Sequence, residues 1–579
     1  MSTFYHHATT TILIILLILA TTTSSTNPTS SPLHFSKSSR SSSSSSSPSR
    51  SSPSVSNPEK LFDDTIQSIL TQAQSTSTMA SLLTTTSSTS SQGFTEDPGA
   101  TTVTTTGPVG DCMDLLDDTL DQLSNVAHRR DHNPAHTHDD VQTWLSAALT
   151  NQETCKESLQ TPPLKNPHRH HEPAMKAILL QALARNMTAT VEASLALYVN
   201  HIRSNNNPRH VMSPKYRKYP SNYIPGGRKL LSAASSSFPG WLPAAKRKLL
   251  EASMGELEVH AVVAKDGSGT HTTIAAALRA VTMSGGATVA SGGGGSSVIY
   301  IKAGTYKETL NIPTKQKNVV LMGDGKGKTV IVGSKNADDG STTYQTATVA
   351  AMGDGFMARD ITIINDAGPT KHQAVALRVG SDRSVIFRCS IQGYQDTLYA
   401  LSKRQFYRET NVYGTIDFIF GNAAAVFQSC SLYSRKGGSY PNNFVTAQGR
   451  SSEYQNTGFS IHNCRVEAAP DLPAGSGSTY LGRPWKEYSR TVVMQSQLGG
   501  HINPAGWSAW SGGFALKTLY YAEYLNSGPG AGTSGRVGWP GYHSALAPAD
   551  AGKFTVGQLI TGNSWLPSTG VSFDSGLIG

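Results

Sequence analysis

Gln373, the pair Gln395–Asp396, and Asp417 recur at intervals of 22, 22 and 21 residues. Two carboxyl groups held in one half-buried groove cannot both ionise cheaply. Like-charge repulsion and desolvation raise the pKa of one, while a cationic neighbour holds the other down. That division supplies one nucleophile or base and one acid. Two carboxamides beside them offer N–H donors of the kind that stabilise a developing oxyanion. Acids and amide donors, with no metal cage evident, point to acyl transfer or ester hydrolysis through a carboxylate nucleophile, without a cofactor. A glycosidase also pairs carboxylates, but it gives no special use to two carboxamides. No G-x-S-x-G stretch supports a serine hydrolase.

A lone Asp in a solenoid turn is more often a turn former than a catalyst. Here two of them share a period with two Gln and are flanked by Tyr394, Tyr399, Phe418 and Phe420, which favours chemistry. The period belongs to a recurring strand phrase: FMARDITI at 356–363, VIFRCSI at 385–391, QFYRETNV at 405–412, VFQSCSL at 426–432 and SIHNCRV at 460–466. The apolar residues that close these phrases, Ile363, Ile391, Val412, Leu432 and Val466, follow at steps of 28, 21, 20 and 34. Short strands at a period in the twenties predict a solenoid, here a parallel β-helix. One repeat later then means one rung higher, roughly 4.8 Å away. The spacing therefore stacks both carboxylates and both carboxamides on one patch.

The chain has 579 residues and a net charge of +9, enough for two to four domains. Residues 251–579 hold 27 Lys+Arg against 22 Asp+Glu, a mild basic excess. This suits steering of an acidic polymer; nucleic acid is not expected, because no Lys/Arg cluster interleaves with aromatics. At the start, Ile12–Ala20 is apolar but too short to span a bilayer by itself. It reads as the core of a secretory signal over residues 1–24, with an uncleaved anchor as the alternative, since no Lys or Arg precedes it. Residues 25–58 are Ser/Thr/Pro-rich and cannot bury a core, so a disordered spacer is expected. Residues 59–206 carry apolar positions at helical spacing in four segments, which predicts an all-α four-helix bundle. Its one acceptable sequon is at Asn186. Residues 207–250 return to loop composition and twice place a basic pair before two leucines, Arg228-Lys229-Leu230-Leu231 and Arg247-Lys248-Leu249-Leu250. Such exposed sites between domains are natural cleavage points. From 251 to 579 β-branched strands and short turns dominate, with no long amphipathic helix expected among them.

Of five cysteines none forms a C-x-x-C pair, so zinc ribbons and redox motifs are not expected. Cys112–Cys155 is a reasonable disulfide in a secreted protein; the odd total leaves at least one thiol free. GDGKGKT at 323–329 has Met322 where a phosphate loop needs its first Gly, so it reads as a turn. The His-rich stretches at 127–140 and 166–172 sit in loop settings, and no metal site is expected there.

At these residues the chain closely resembles plant pectin methylesterases that carry an inhibitor-like pro-region. The matching stretches include GTYKE (304–308), QAVALR (373–378), GYQDTLYA (393–400), GTIDFIFGNAA (414–424), LGRPW (481–485) and HINPAGWSAW (501–510). The resemblance implies a right-handed parallel β-helix that hydrolyses methyl esters of homogalacturonan. By it, Asp417 would be the nucleophile and Asp396 the acid and then the base. Gln395 and Gln373 would hold the oxyanion, and Arg483 would fix Asp417 through a charge-assisted contact of about 1.5–3 kcal/mol. Trp485 would stack on a sugar ring, Thr343 would contact the polymer, and Tyr399 and Phe420 would form groove walls. The implied partners are methyl-esterified pectin, a subtilisin-like processing protease acting on the linker, and proteinaceous inhibitors; the implied product is a secreted, cell-wall monomer released from a zymogen. DCMDLLDDTLDQL and WLSAALTNQETC carry the inhibitor-like resemblance and place Cys112 and Cys155. Two departures stand out. No Cys precedes Cys112, so the first disulfide of such domains is missing. Where many relatives read RDC, this chain has Arg408-Glu409-Thr410, so Cys430 lacks that neighbour and is expected to pair with Cys464 or Cys389 instead, the sequence not deciding which. The competing readings are a β-helix pectate lyase or polygalacturonase, and an inactive enzyme half joined to a working inhibitor.

Overall fold

The computed structural model describes residues 58–85, 107–129, 138–160, 174–205, 259–285, 296–438, 440–473 and 476–579. The expected leader, the spacer up to Asn57 and both basic cleavage sites, at 228–231 and 247–250, lie outside the described residues.

Four helices come first: α1 (Pro58–Thr85), α2 (Pro108–Ala127), α3 (His138–Gln160) and α4 (Ala174–Asn205). α2 packs on α3, α3 on α4, and α1 on both α2 and α4. The apolar spacing read from the sequence supplies the core. Ile66, Ile69 and Ala73 of α1 meet Leu116 and Leu123 of α2, Leu145 and Leu149 of α3, and Val191 and Leu195 of α4. The expected Cys112–Cys155 bridge ties α2 to α3, with Cα atoms 4.7 Å apart. Asn186 is solvent-exposed on α4.

The rest is a parallel β-helix of three sheets with 11, 7 and 8 strands, each complete turn giving one strand to each sheet and the end turns adding strands mainly to the largest. Every named strand pairing is parallel and in register, so equivalent residues of successive turns lie one above another. The phrase-ending residues form one such ladder: Ile363 pairs with Ile391, Ile391 with Val412, Val412 with Leu432, and Leu432 with Val466. All are buried in the coil's interior. A second ladder runs beside it through Cys389, Thr410, Cys430, Cys464 and Ser496. The Cys389 N–H donates to Thr410 Oγ1 (3.3 Å), the Cys430 N–H to Cys464 Sγ (3.4 Å) and the Cys464 N–H to Ser496 Oγ (3.0 Å). Small O- or S-bearing side chains thus bond the rung before them. Thr410 fits this role, and the three cysteines are free, buried thiols rather than a disulfide pair.

One element departs from expectation. A twelve-residue amphipathic helix, α5 (Ile274–Gly285), closes the coil's first turn, turning Ile274, Ala277, Leu278 and Val281 into the core. The Glu308 carboxylate accepts the N–H groups of Ile274 (3.0 Å) and Ala275 (2.9 Å) at its start, where orphan donors and the helix dipole favour an anion. At the far end, residues from Val556 to Val571 run back along the outer face of the largest sheet, with Ile560, Trp565 and Leu566 packed on Val385, Phe406 and Val426.

The last turns are pinned by a buried ion pair. Arg536 Nε and Nη2 donate to Glu523 Oε1 (2.8 Å) and Oε2 (3.0 Å), while Tyr542 and Trp507 also donate to Oε1. Both charged side chains are 2% exposed. Arg536→Leu should destabilise the coil by about 3–5 kcal/mol, because it strands a buried carboxylate. Chemical denaturation of the variant checks this; a loss under about 1 kcal/mol would contradict it.

Candidate active site

The seven-stranded sheet carries the site. Leu398 pairs with Ile419 and Tyr399 with Phe420, so Asp396 and Asp417, each two residues earlier, occupy the same place on consecutive rungs. Both adopt left-handed backbone, φ 61° and 50°, which Asp tolerates better than most residues. The Asp396 N–H donates to Ile416 O (3.0 Å), and the Ala374 N–H donates to Gln395 O (3.2 Å). Gln373, Gln395, Asp396 and Asp417 therefore climb one edge of three turns. All four line a single cavity of about 880 Å3 with Arg483, Trp485, Thr343, Tyr399 and Phe420. The sequence spacing and the geometry agree.

Arg483 follows the strand Thr479–Gly482, two rungs beyond Asp417's. Its Nε and Nη2 grip Asp417 Oδ1 (2.8 Å) and Oδ2 (2.6 Å) as a planar fork. The guanidinium itself lies between two rings, 4.1 Å from the centre of Phe444 and 4.3 Å from that of Trp510. These rings fix its plane, and the sequence reading missed both. Trp510 closes the quoted WSAW stretch, whereas Phe444 sits in a strand with no marked motif. Tyr399 and Phe420 stack at 4.2 Å, and Trp485 meets them edge-on at 6.5 and 5.9 Å. Together they make an apolar wall beside the acids.

The two carboxyl groups are not equivalent. Burial raises the Asp396 pKa well above the carboxylate range, the Asp417 charge raises it further, and Arg483 offsets only part. Burial raises Asp417 as well, but two N–H donors and a full positive charge from Arg483 pull it back. A proton shared by the pair therefore rests on Asp396 and leaves Asp417 ionised. Among the described residues no intramolecular hydrogen bond occupies the side-chain amides of Gln373 or Gln395. Their donors remain available to the cavity. No group of His, Cys, Asp and Glu suited to a metal ion occurs among the described residues.

The bundle forms the opposite wall. Thr154, Glu157, Ser158 and Gln160 of α3 line the same cavity as the two acids. The seam around it joins an apolar patch, in which Leu115 and Ala184 pack with Tyr344, Val375, Tyr399 and Phe420, to a set of polar contacts. Gln345 Nε2 donates to Asp111 Oδ1 (2.6 Å), Asn422 Nδ2 to Thr150 Oγ1 (2.9 Å), and Gln455 Nε2 to Ser146 O (3.1 Å). Buried Lys403 bridges Asp118 of α2 (2.6 Å) and Asp354 (3.0 Å); Arg404 bridges Asp140 of α3 (2.7 Å) and Asp382 (2.6 Å). Lys486 pairs with Glu157.

The model of the family described as Pectinesterase matches residues 260–563, and that described as Plant invertase/pectin methylesterase inhibitor matches residues 34–197. A relative from Arabidopsis thaliana, "Probable pectinesterase/pectinesterase inhibitor 35", is 58% identical over 473 residues, 81% of each chain. "Pectinesterase 2" of Citrus sinensis is 48% identical over 471 residues, again 81% of each. Among solved structures, "Pectin methylesterase from Carrot" superposes with a TM-score of 0.52 at 52% identity, covering 55% of this chain and 98% of that one.

The seam should respond to pH. Burial pushes Asp111 up to about 6, against hydrogen bonds from Thr342, Ser158 and Gln345 and the charge of Arg378. Docked, Asp111 takes up a proton as pH falls through 6; undocked, it does so only near its ordinary value of about 3.9. Because the covered state binds more protons between these values, acidification from about 6 toward about 3.9 tightens the seam, and that gain is lost as pH rises through about 6 and changes no further above it. With the linker cut, the two halves should dissociate more readily at pH 7.5 than at pH 5. Asp111→Asn should flatten that difference, and affinities independent of pH would refute the assignment.

Proposed function

Because the chain belongs to the pectinesterase family, we propose that it hydrolyses the methyl esters of homogalacturonan with Asp417 as nucleophile and Asp396 as proton carrier. The observation that carries this reading is the asymmetric pair: two carboxyl groups one rung apart, only one of them gripped by a guanidinium fork.

Ionised Asp417 attacks the ester carbonyl carbon, and the oxygen becomes an oxyanion. The free amide N–H groups of Gln395 and Gln373 donate to it; such donors are worth about 10²–10³-fold in rate each. As the tetrahedral intermediate collapses, the C–OCH3 bond breaks and Asp396 gives its proton to the departing methoxide. Methanol leaves, and Asp417 is held as an acyl anhydride. Asp396, now a carboxylate, takes a proton from water, and the hydroxide attacks the acyl carbon. Collapse returns the Asp417 carboxylate and a galacturonate carboxyl group, with the proton back on Asp396. Arg483 keeps Asp417 ionised and aimed, held flat by Phe444 and Trp510. Trp485 offers its face to a sugar ring, Thr343 reaches the polymer across the cavity, and Tyr399 and Phe420 keep water from the acids' flank.

The bundle acts as an autoinhibitory pro-domain in this reading, since α3 fills the side of the cavity from which a polymer would approach. Release follows cutting by a subtilisin-like protease at Arg228–Leu231 or Arg247–Leu250, outside the cell, and yields a monomeric wall enzyme beginning near residue 250. Separate inhibitor proteins would then meet the same face.

Asp417→Ala should abolish methanol release from esterified pectin by residues 251–579, and Asp396→Asn should lower it by ~10²–10⁴-fold, both without loss of fold. Near-normal turnover of either variant would remove that residue from its role. Arg483→Lys should lose at least ~10-fold in kcat, because an ammonium cannot reproduce the fork or lie flat between the rings. Unsaturated or shortened oligomers among the products would favour a lyase or glycosidase instead.

A further inference from the structure

Away from the catalytic cleft, a second cavity of about 270 Å3 opens between the bundle and the coil. Five cationic side chains line it, Arg203, Arg404, Arg450, Arg490 and Lys553, against two anionic ones, Asp139 and Glu453. Some of these charges are already matched. Arg404 holds Asp382 and Asp140, and Lys553 pairs with Asp550 at 2.8 Å. Arg450 and Arg490 are different. Among the described residues neither has a carboxylate within ion-pair distance, although Arg450 is only 9% exposed.

Their placement is built, not incidental. Both backbone N–H groups donate to one acceptor, Gln448 Oε1, at 2.9 Å from Arg450 and 2.8 Å from Arg490, which seats the two side by side. Arg450 Nε donates to Gln455 O (2.9 Å) and Arg490 Nε to Thr457 O (2.6 Å). Gly458 leaves room for this approach: a Cβ there would come 2.8 Å from Arg490 Nε. Carbonyl oxygens satisfy part of each guanidinium but carry no neutralising charge. Burial pulls the Arg450 pKa down to about 10, the Glu453 charge opposes the fall and Arg203 adds to it; Arg490 is lowered by burial and then by Arg450. Like charges gathered in a polar, partly enclosed space are stabilised by an anion, and planar forks match an oxyanion best.

We propose that Arg450, Arg490 and Arg203 bound a binding site for a small oxyanion, either a sugar carboxylate such as galacturonate or inorganic phosphate. Arg203 stands in the last turn of α4, whereas Arg450 and Arg490 belong to the coil. The bound anion therefore spans the seam and helps to hold the bundle in place. This site is separate from the acids of the cleft, and its occupancy does not depend on how Asp417 reacts.

Calorimetric titration of the full chain tests it, with inorganic phosphate and galacturonic acid in separate runs at one ionic strength set by chloride. Saturable one-to-one binding is expected with at least one of them. Uncharged methyl galacturonate should give no such binding. Arg203→Gln, at an exposed position, should weaken binding about tenfold, the effect of one charge-assisted contact. Arg450→Gln should remove it. If Arg450→Gln does not fold, Arg203→Gln alone carries the same test. Phosphate binding alone assigns an inorganic anion, and equal or tighter galacturonate binding assigns a sugar acid. No saturable binding of either below ~10 mM, or binding untouched by Arg203→Gln, as cleft binding would be, overturns the proposal.

Discussion

In-register stacking of one turn on the next governs what this chain can build. A parallel ladder repeats every position at roughly 4.8 Å, so a residue type suited to one rung acts on its neighbours above and below. The interior uses this for apolar ladders and for the thiol and hydroxyl column that bonds successive backbones. The edge of the seven-stranded sheet uses it to force two acids together. Neither Asp396 nor Asp417 can move away from the other without breaking its rung's register, and the backbone holds both in left-handed conformations. Proximity of like charges is costly, and the fold rather than the side chains sustains it.

The repeating phrases made this much legible. Ile363, Ile391, Val412, Leu432 and Val466 announced the ladder despite steps between 20 and 34, because insertions fall in turns while the strand phrase keeps its alternation. The acids and amides were legible for the same reason. The aromatic clamp on Arg483 was only half so: Phe444 comes from a neighbouring rung, and no local pattern marks a ring that acts through a plane rather than a hydrogen bond. α5 was not legible because its apolar face is short, twelve residues that cover the end of a coil, and is set in strand-rich sequence. The Thr410 substitution looked like a lost pairing partner for Cys430. In three dimensions the position asks for a small acceptor facing the rung before it, which Thr supplies.

The bundle was legible as helices, and as an inhibitor-like region only through the family resemblance, since nothing in a helical period tells which surface it covers. What the structure adds is the chemistry of the seam. Lys403, Arg404, Asn422 and Gln455 on the coil meet Asp118, Asp140, Thr150 and Ser146 on the bundle, through ion pairs and hydrogen bonds. Beside them lies an apolar patch of Leu115 and Ala184 against Tyr344, Val375, Tyr399 and Phe420, so the interface holds by both means. Its polar part gives up less when water replaces the partner, because each group it frees is soluble.

That choice has a consequence for the coil itself. If the bundle departs, Lys403 keeps Asp354 and Arg404 keeps Asp382, so neither cation is left uncompensated. On the bundle side, Asp118 and Asp140 lose their cations but regain water. At these two positions the coil's charges are duplicated inside its own framework, whereas Lys317 and Lys486 find their ion-pair partners, among the described residues, in Asp121 and Glu157 of the bundle. Such internal pairing keeps Lys403 and Arg404 matched whether or not the bundle covers them. The acids of the cleft follow the same logic, since Asp417 is held by Arg483 from the coil and owes nothing to the helices above it.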